Sequence, residues 1–304
     1  MSRYRSPTQV SFKLPCGWCI GCRIEKAREW TMRMVHETRM HRDNAFITLT
    51  YANDALPPGG SLVPRDLKLF FKKLRQIVHR AKQPGIRFYA CGEYGDLNLR
   101  PHYHAVIFGN RFPDRKRHSK SDTGEDVFTS DLLSRAWSLG HATTQDVSPA
   151  SCAYVARYVM KKYVGKNSDD HYSVNLDGVP FVRHPEFARM SNRPGIGASY
   201  CAKYGSEALE HDNIIIDGRE MPPPRYYHRL VSRRSDGLHK QVRDPRRPDG
   251  KLFAAEWSGD ELVKSIKQKR KVAARKQKHD NTPERLAVRE QVTTLKSKSQ
   301  KRTL

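Results

Sequence analysis

Apolar residues recur along this chain with two different periods, and the alternation between them predicts the order of its elements. Leu67, Phe70, Phe71, Leu74, Ile77 and Val78 fall three or four apart behind Pro64, which predicts a helix that ends before Pro84 and Gly85. Ahead of it, Ala45-Phe-Ile-Thr-Leu-Thr-Tyr51 is a β-branched and aromatic strand, followed by a turn-rich loop from Asn53 to Gly60. Ile86-Arg-Phe-Tyr-Ala-Cys-Gly-Glu93 and Pro101-His-Tyr-His-Ala-Val-Ile-Phe108 read as two strands, and the turn formers of Tyr94 to Arg100 fold them into a hairpin. Trp30 to His41 reads as a helix, Gly109 to Thr123 as a polar, basic excursion, Asp131 to Leu139 as a short helix and His141 to Val147 as a strand. Ser148 and Pro149 supply an N-cap and a first-turn proline, so a last helix runs from there to a stop at Gly165. The order β, α, β, β, α, β, α predicts an α+β fold with helices packed on a central antiparallel sheet.

The strands carry the first candidate chemistry. Side chains alternate faces along a strand, so His102 and His104 point one way and Tyr103 the other. The predicted hairpin sets Glu93 beside the two imidazoles, and a His, His, carboxylate set with open positions is a divalent-metal site. A His-x-His that merely occurs in a sheet is the plain alternative. On the helix after Ser148, Cys152, Val155, Ala156, Val159, Met160 and Tyr163 share one broad face, with Tyr154, Tyr158 and Lys161 opposite. A phenol, whose ordinary pKa is about 10, is a poor nucleophile unless a cation or metal assists it.

Cys16, Cys19 and Cys22 stand at zinc-ligand spacing. A fourth ligand must come from elsewhere, with Cys201 the first candidate, then Cys91, Cys152 or a histidine such as His36; an iron-sulfur cluster would use similar residues. The expected role is structural, pinning the N-terminal arm to the rest of the fold.

Four segments, taken together and in this order, resemble the His-U-His endonucleases that start rolling-circle replication, and more narrowly the replication initiators of microviruses of the gokushovirus type. They are Cys16 to Cys22, Phe46 to Tyr51, Gly92-Glu-Tyr-Gly95 with Arg100-Pro-His-Tyr-His104, and Tyr154-Val-Ala-Arg-Tyr-Val-Met-Lys-Lys162, and the resemblance covers roughly residues 14 to 205. It implies that His102, His104 and Glu93 hold Mg or Mn, and that Tyr154 and Tyr158 alternate as nucleophiles in nicking and rejoining DNA at the origin through a 5′-phosphotyrosine. Lys161 or Lys162 is the activating lysine; Lys161 lies about 40° and Lys162 about 60° from the mean tyrosine direction on the helical wheel. Arg100 and Arg157 are candidate phosphate contacts. The partners implied are single-stranded and supercoiled circular DNA, a host helicase and a host polymerase, in the cytoplasm of the infected bacterium.

Charge changes the picture outside this unit. Lys and Arg number 56 against 32 Asp and Glu, a formal net charge of +24, which favours a polyphosphate partner. Arg189 to Ser199, with Arg193 at its centre, is a Gly-rich loop, either a phosphate cradle or a plain surface loop. From Lys251 to Leu304 there are 15 Lys and Arg against 6 Asp and Glu, a basic tail expected to be a solvated helix or a disordered arm. The expected organisation is an N-terminal arm and helix over 1–44, a nicking domain over 45–165, an accessory basic region over 166–250 and the tail over 251–304. No apolar run is long enough to span a membrane and no secretory signal begins the chain. A relaxase or single-strand transposase would use the same chemistry, and a nonenzymatic basic DNA-packaging protein would share the charge without needing the metal set.

Overall fold

The segments of period two pair into one seven-stranded antiparallel sheet, and the segments of helical period cover both of its faces. The computed structural model describes residues 3–5, 11–13, 15–83, 85–95, 98–161, 171–216, 218–235, 242–243, 252–253, 268 and 283–300. In chain order, a two-stranded pair β1 (Arg3–Arg5) and β2 (Ser11–Lys13) precedes α1 (Ile20–Thr38), β3 (Asn44–Tyr51) and α2 (Pro64–Arg80). The hairpin β4 (Arg87–Tyr94) and β5 (Pro101–Phe108) follows, then β6 (Lys116–Lys120), β7 (Asp126–Thr129), α3 (Asp131–Ala136), β8 (Gly140–Gln145) and α4 (Pro149–Lys161). A small hairpin, β9 (Ser173–Leu176) with β10 (Val179–Val182), leads into β11 (Phe187–Met190) and α5 (Ala198–Glu210). A third pair, β12 (Ile214–Ile216) and β13 (Arg219–Met221), precedes α6 (Arg225–Ser235), and α7 (Pro283–Gln300) lies in the basic tail.

The sheet order is β11-β4-β5-β3-β8-β7-β6. Both faces of β5 are buried, which is why its sequence reads as a nearly continuous apolar run. Tyr103, Ala105 and Ile107 turn to one side, where Ile47, Leu49, Leu67, Phe70, Phe71, Leu74 and Trp137 close a core under α2 and α3. Val106 and Phe108 turn to the other, joining Phe46, Tyr89, Met34, Cys152, Val155 and Tyr227 under α1, α4, α5 and α6. Tyr103 is fully buried and its hydroxyl lies 2.8 Å from that of Tyr51, which in turn donates to Asp66 Oδ2 at 2.7 Å. Burial pushes the Tyr103 phenol up to about 12 against the opposing pull of the Tyr51 hydroxyl, so it stays a neutral hydrogen-bonding core residue.

Three boundaries differ from expectation. The helix expected over 30–41 begins at Ile20 and ends at Thr38, so Cys22 lies in its first turn. The polar excursion after Gly109 contains β6, which pairs with β7 through its backbone while its side chains stay exposed, extending the sheet at one edge. At the other edge β11 pairs with β4, so the segment after residue 166 contributes to the central sheet. Apart from residues 252–253, 268 and α7, the basic tail lies outside the described residues. Among those described, no helix is long and apolar enough to cross a membrane.

Candidate active site

Register places the acidic and imidazole side chains on one face at the centre of the sheet. Glu93 stands opposite His102 across β4 and β5, and Thr48 and Thr50 stand opposite His104 and His102 across β3 and β5. Opposed residues of an antiparallel pair share a face, so all five project toward α4. His104 Nε2 lies 2.8 Å from Glu93 Oε1, and His104 Nδ1 lies 3.0 Å from Thr48 Oγ1. His102 Nδ1 donates to the Arg100 carbonyl at 2.7 Å, which fixes the neutral tautomer and leaves the Nε2 lone pair open. Burial pulls the His102 imidazole below its ordinary value; the Arg100 carbonyl opposes this and the His104 ring adds to it. The two rings are nearly parallel, with centroids 6.4 Å apart and planes 11° from each other.

The helix that faces them is set by its start. Ser151 N–H donates to Ser148 Oγ at 3.1 Å and Ser148 N–H donates to Ser151 Oγ at 2.9 Å, a reciprocal capping box with serine in place of the usual glutamate. Cys152, Val155 and Ala156 are buried as the apolar face predicts. Tyr154, expected on the opposite side, is half-buried against the sheet: its ring meets His104 edge-on at 5.2 Å and 88° and packs near Phe46, and its hydroxyl donates to Glu93 Oε1 at 3.3 Å. Tyr158 follows one turn later on α4; its side chain, that of Lys161 and the whole of Lys162 lie outside the described residues. Arg157 is half-buried on the same helix.

The remaining candidates are placed elsewhere. Arg100 donates from Nη2 to the Tyr51 carbonyl at 2.6 Å, tying the β4–β5 turn to the end of β3. Arg193 is exposed in the Gly-rich loop. That loop is fastened to the fold: the Gly197 N–H donates to Glu37 Oε2 at 2.7 Å, Arg33 Nε to the Ile196 carbonyl at 3.0 Å and Arg87 Nη2 to the Pro194 carbonyl at 2.7 Å. Gly197 has φ of +80°, and a Cβ there would come within 2.7 Å of the Tyr227 hydroxyl, so glycine is required. Burial pushes the Glu37 carboxyl up, and His41, Arg87 and the Gly197 amide outweigh it, holding it below the carboxylate range. The amide at Gly197 therefore serves an internal carboxylate.

Cys16, Cys19 and Cys22 bring their sulfurs within 4.8 Å of one another. Hydrogen bonds from the Cys19 and Trp18 backbone lower the Cys16 thiol to about 7. Cys201, the first candidate for a fourth ligand, is instead 2% exposed in the helical core, and Cys91 and Cys152 are fully buried in the same core. His36 is also committed there, stacked on Tyr200 with its Nδ1 2.7 Å from the Tyr227 hydroxyl. None of the four belongs to the sulfur group.

The histidine face has the donor types a hard or borderline divalent cation takes, two imidazoles and a carboxylate. A cation there needs the direct contact between His104 and Glu93 to open and the His104 proton to sit on Nδ1, which the rotatable Thr48 hydroxyl accepts. Thr48 is the supporting residue that spacing alone passes over, although its alternation with Phe46 and its position opposite His104 mark its face.

A family model for the replication-associated protein ORF2 matches residues 44–163, the stretch from β3 through the end of α4. The chain is 35% identical over 231 residues to the replication-associated protein VP4 of Bdellovibrio phage phiMH2K, a match covering 74% of this chain and 70% of that protein. It is 29% identical over 276 residues to the replication-associated protein ORF2 of Spiroplasma virus 4, covering 88% and 76%. Over 233 residues it is 29% identical to the replication-associated protein ORF4 of Chlamydia phage 1, covering 75% of this chain and 56% of that one. No solved structure matches. With the order of motifs and the extent of these matches, the chain belongs to the phage replication-associated proteins, as a replication initiator of the microvirus, gokushovirus type.

Proposed function

We propose that this initiator nicks and rejoins phage DNA at the replication origin through a tyrosine nucleophile. The reading rests above all on the Tyr154 hydroxyl, which donates to Glu93 at 3.3 Å on the same face as His102 and His104. A nucleophile next to a candidate metal-ligand set is the arrangement phosphoryl transfer needs, because most of its catalysis is positioning and charge stabilisation. When Mg or Mn is held by His102, His104 and Glu93, it supplies positive charge at the scissile phosphate.

Glu93 orients the Tyr154 phenol through its hydrogen bond, and Lys161, or Lys162 beside it, supplies the cation that favours loss of the phenolic proton. The Tyr154 oxygen attacks phosphorus; a tyrosine–5′-phosphate bond forms, the bond from phosphorus to the 3′ oxygen breaks, and that oxygen leaves as a 3′ hydroxyl. The new end primes a host polymerase while a host helicase opens the duplex. Tyr158 then cuts the regenerated origin, and the freed 3′ hydroxyl displaces the first tyrosine to close a circle. Arg157, on the same helix, and Arg193, in the exposed loop, are proposed phosphate contacts, with binding supplied more broadly by the basic surface. The site of action is the cytoplasm of the infected bacterium.

The test is incubation of the full chain with supercoiled phage DNA and Mg or Mn, reading covalent protein-DNA adducts on denaturing gels. Tyr154→Phe and Tyr158→Phe should each keep part of the nicking, form adducts through the remaining tyrosine and lose closed product over repeated rounds. The double variant should form no adduct. His102→Ala should lose cleavage while still binding origin DNA. A double variant that still nicks, or nicking indifferent to a chelator, would overturn the proposal.

A further inference from the structure

Among the described residues, the one group of ligand side chains that fully converges lies away from the histidine face. Cys16, Cys19 and Cys22 place their sulfurs within 4.8 Å, and the Cys16 and Cys22 sulfurs are 3.9 Å apart. Zinc-sulfur bonds of about 2.3 Å at tetrahedral angles set two thiolates about 3.8 Å apart. The observed pair therefore already has the spacing of two ligands of one mononuclear centre, far longer than a disulfide bond of about 2.05 Å. A cubane iron-sulfur cluster needs its thiolates on different irons and so spreads them further.

The backbone builds this spacing. Gly17 has φ of +79°, a left-handed turn that an ordinary side chain resists, and it folds Cys16 back toward the start of α1. The Cys19 N–H then donates to Cys16 Sγ at 3.3 Å, a contact that favours thiolate. Cys22 enters from the first turn of α1. All three are half-buried, accessible to an ion yet not fully solvated.

We propose that Cys16, Cys19 and Cys22 form a three-thiolate site for a single zinc ion, with an oxygen or nitrogen ligand in the fourth position. The ion locks the Cys16–Cys19 turn onto α1, and α1 is the helix that packs along α4 in the core shared with Cys152 and Val155. Thiolates select zinc over Mg or Mn, so this site and the histidine face do not compete for a metal. The inference is independent of the nicking chemistry.

Elemental analysis of the purified full chain should find one zinc per chain. Replacement by cobalt should give the intense visible bands of tetrahedral Co(II) and a near-ultraviolet sulfur charge-transfer band of three-thiolate intensity. Cys16→Ser, Cys19→Ser and Cys22→Ser should each reduce that band and weaken cobalt affinity at least about 10-fold, while Cys201→Ser and His102→Ala leave the spectrum unchanged. Protein without zinc that also gives no tetrahedral cobalt spectrum would overturn the site, as would iron with labile sulfide or loss of the band in Cys201→Ser. Nicking with Mg is read separately, so failure of either reading leaves the other standing.

Discussion

Thr48 and His104 face each other across β3 and β5, and their 3.0 Å contact decides which imidazole nitrogen carries the proton. With the hydroxyl accepting from Nδ1, Nε2 is a lone pair directed at Glu93 and at any ion between them. Valine is nearly the same shape as threonine but has no oxygen, so Thr48→Val frees the ring to take either tautomer without opening a cavity. Removing such a supporting hydrogen bond weakens metal binding by about 10 to 100-fold. In nicking assays across a Mn titration, Thr48→Val should shift the half-maximal Mn concentration upward by that factor while approaching the wild-type rate at saturation, and Thr48→Ser should restore the original midpoint. An unchanged midpoint in Thr48→Val would remove Thr48 from the positioning role.

At the scale of elements, α4 presents Tyr154 to the sheet only if its first turn is formed, and the paired serines at 148 and 151 hold that turn. Ser148→Ala leaves an amide of the first turn without its side-chain partner and should destabilise the protein by about 1 kcal/mol, whereas Ser148→Asp, also a good cap, should not. Urea unfolding of the three proteins reads the difference, and equal midpoints would show that the cap contributes nothing. Ser148 and Pro149 make this start legible in the sequence, just as the spacing of two makes His102 and His104 legible as one face. The start of α1 is not legible, because Glu25, Lys26 and Arg28 are polar and blur the helical period; packing further along the helix, from Met32 to Glu37, sustains it. Wholly exposed β6 has no alternation to read, and four-residue β11 is defined mainly by pairing with β4, a partner far away in sequence. Cysteine spacing likewise specifies three neighbouring ligands but nothing distant, which is why Cys201 reads as a candidate until the core encloses it.

For the molecule as a whole, the place where α1, α5 and α6 meet contains a titratable group that links folding to pH. His36 is fully buried, stacks on Tyr200 at 3.9 Å and shares its Nδ1 with the Tyr227 hydroxyl, while its Nε2 has no hydrogen-bond partner among the described residues. Burial, with the Arg39 charge adding to it, lowers the His36 imidazole to about 3. The unfolded chain instead binds this proton near the ordinary histidine value of about 6.5. Because the folded value is depressed, the unfolded state holds more protons between those limits; stability is full above about 6.5 and falls as pH drops toward about 3, by up to about 1.4 kcal/mol per pH unit. Glu37, also depressed, adds to the loss only at the acid end, as pH falls below the ordinary carboxylate value of about 4.3. His36→Gln keeps a polar group for Tyr227 but cannot take up the proton. Its stability at about pH 7.5 should be lower than wild type, yet between about pH 6.5 and 5, above the range where Glu37 acts, its urea midpoint should fall much less steeply. Parallel slopes for the two proteins in that window would show that His36 does not couple the packing of these helices to pH.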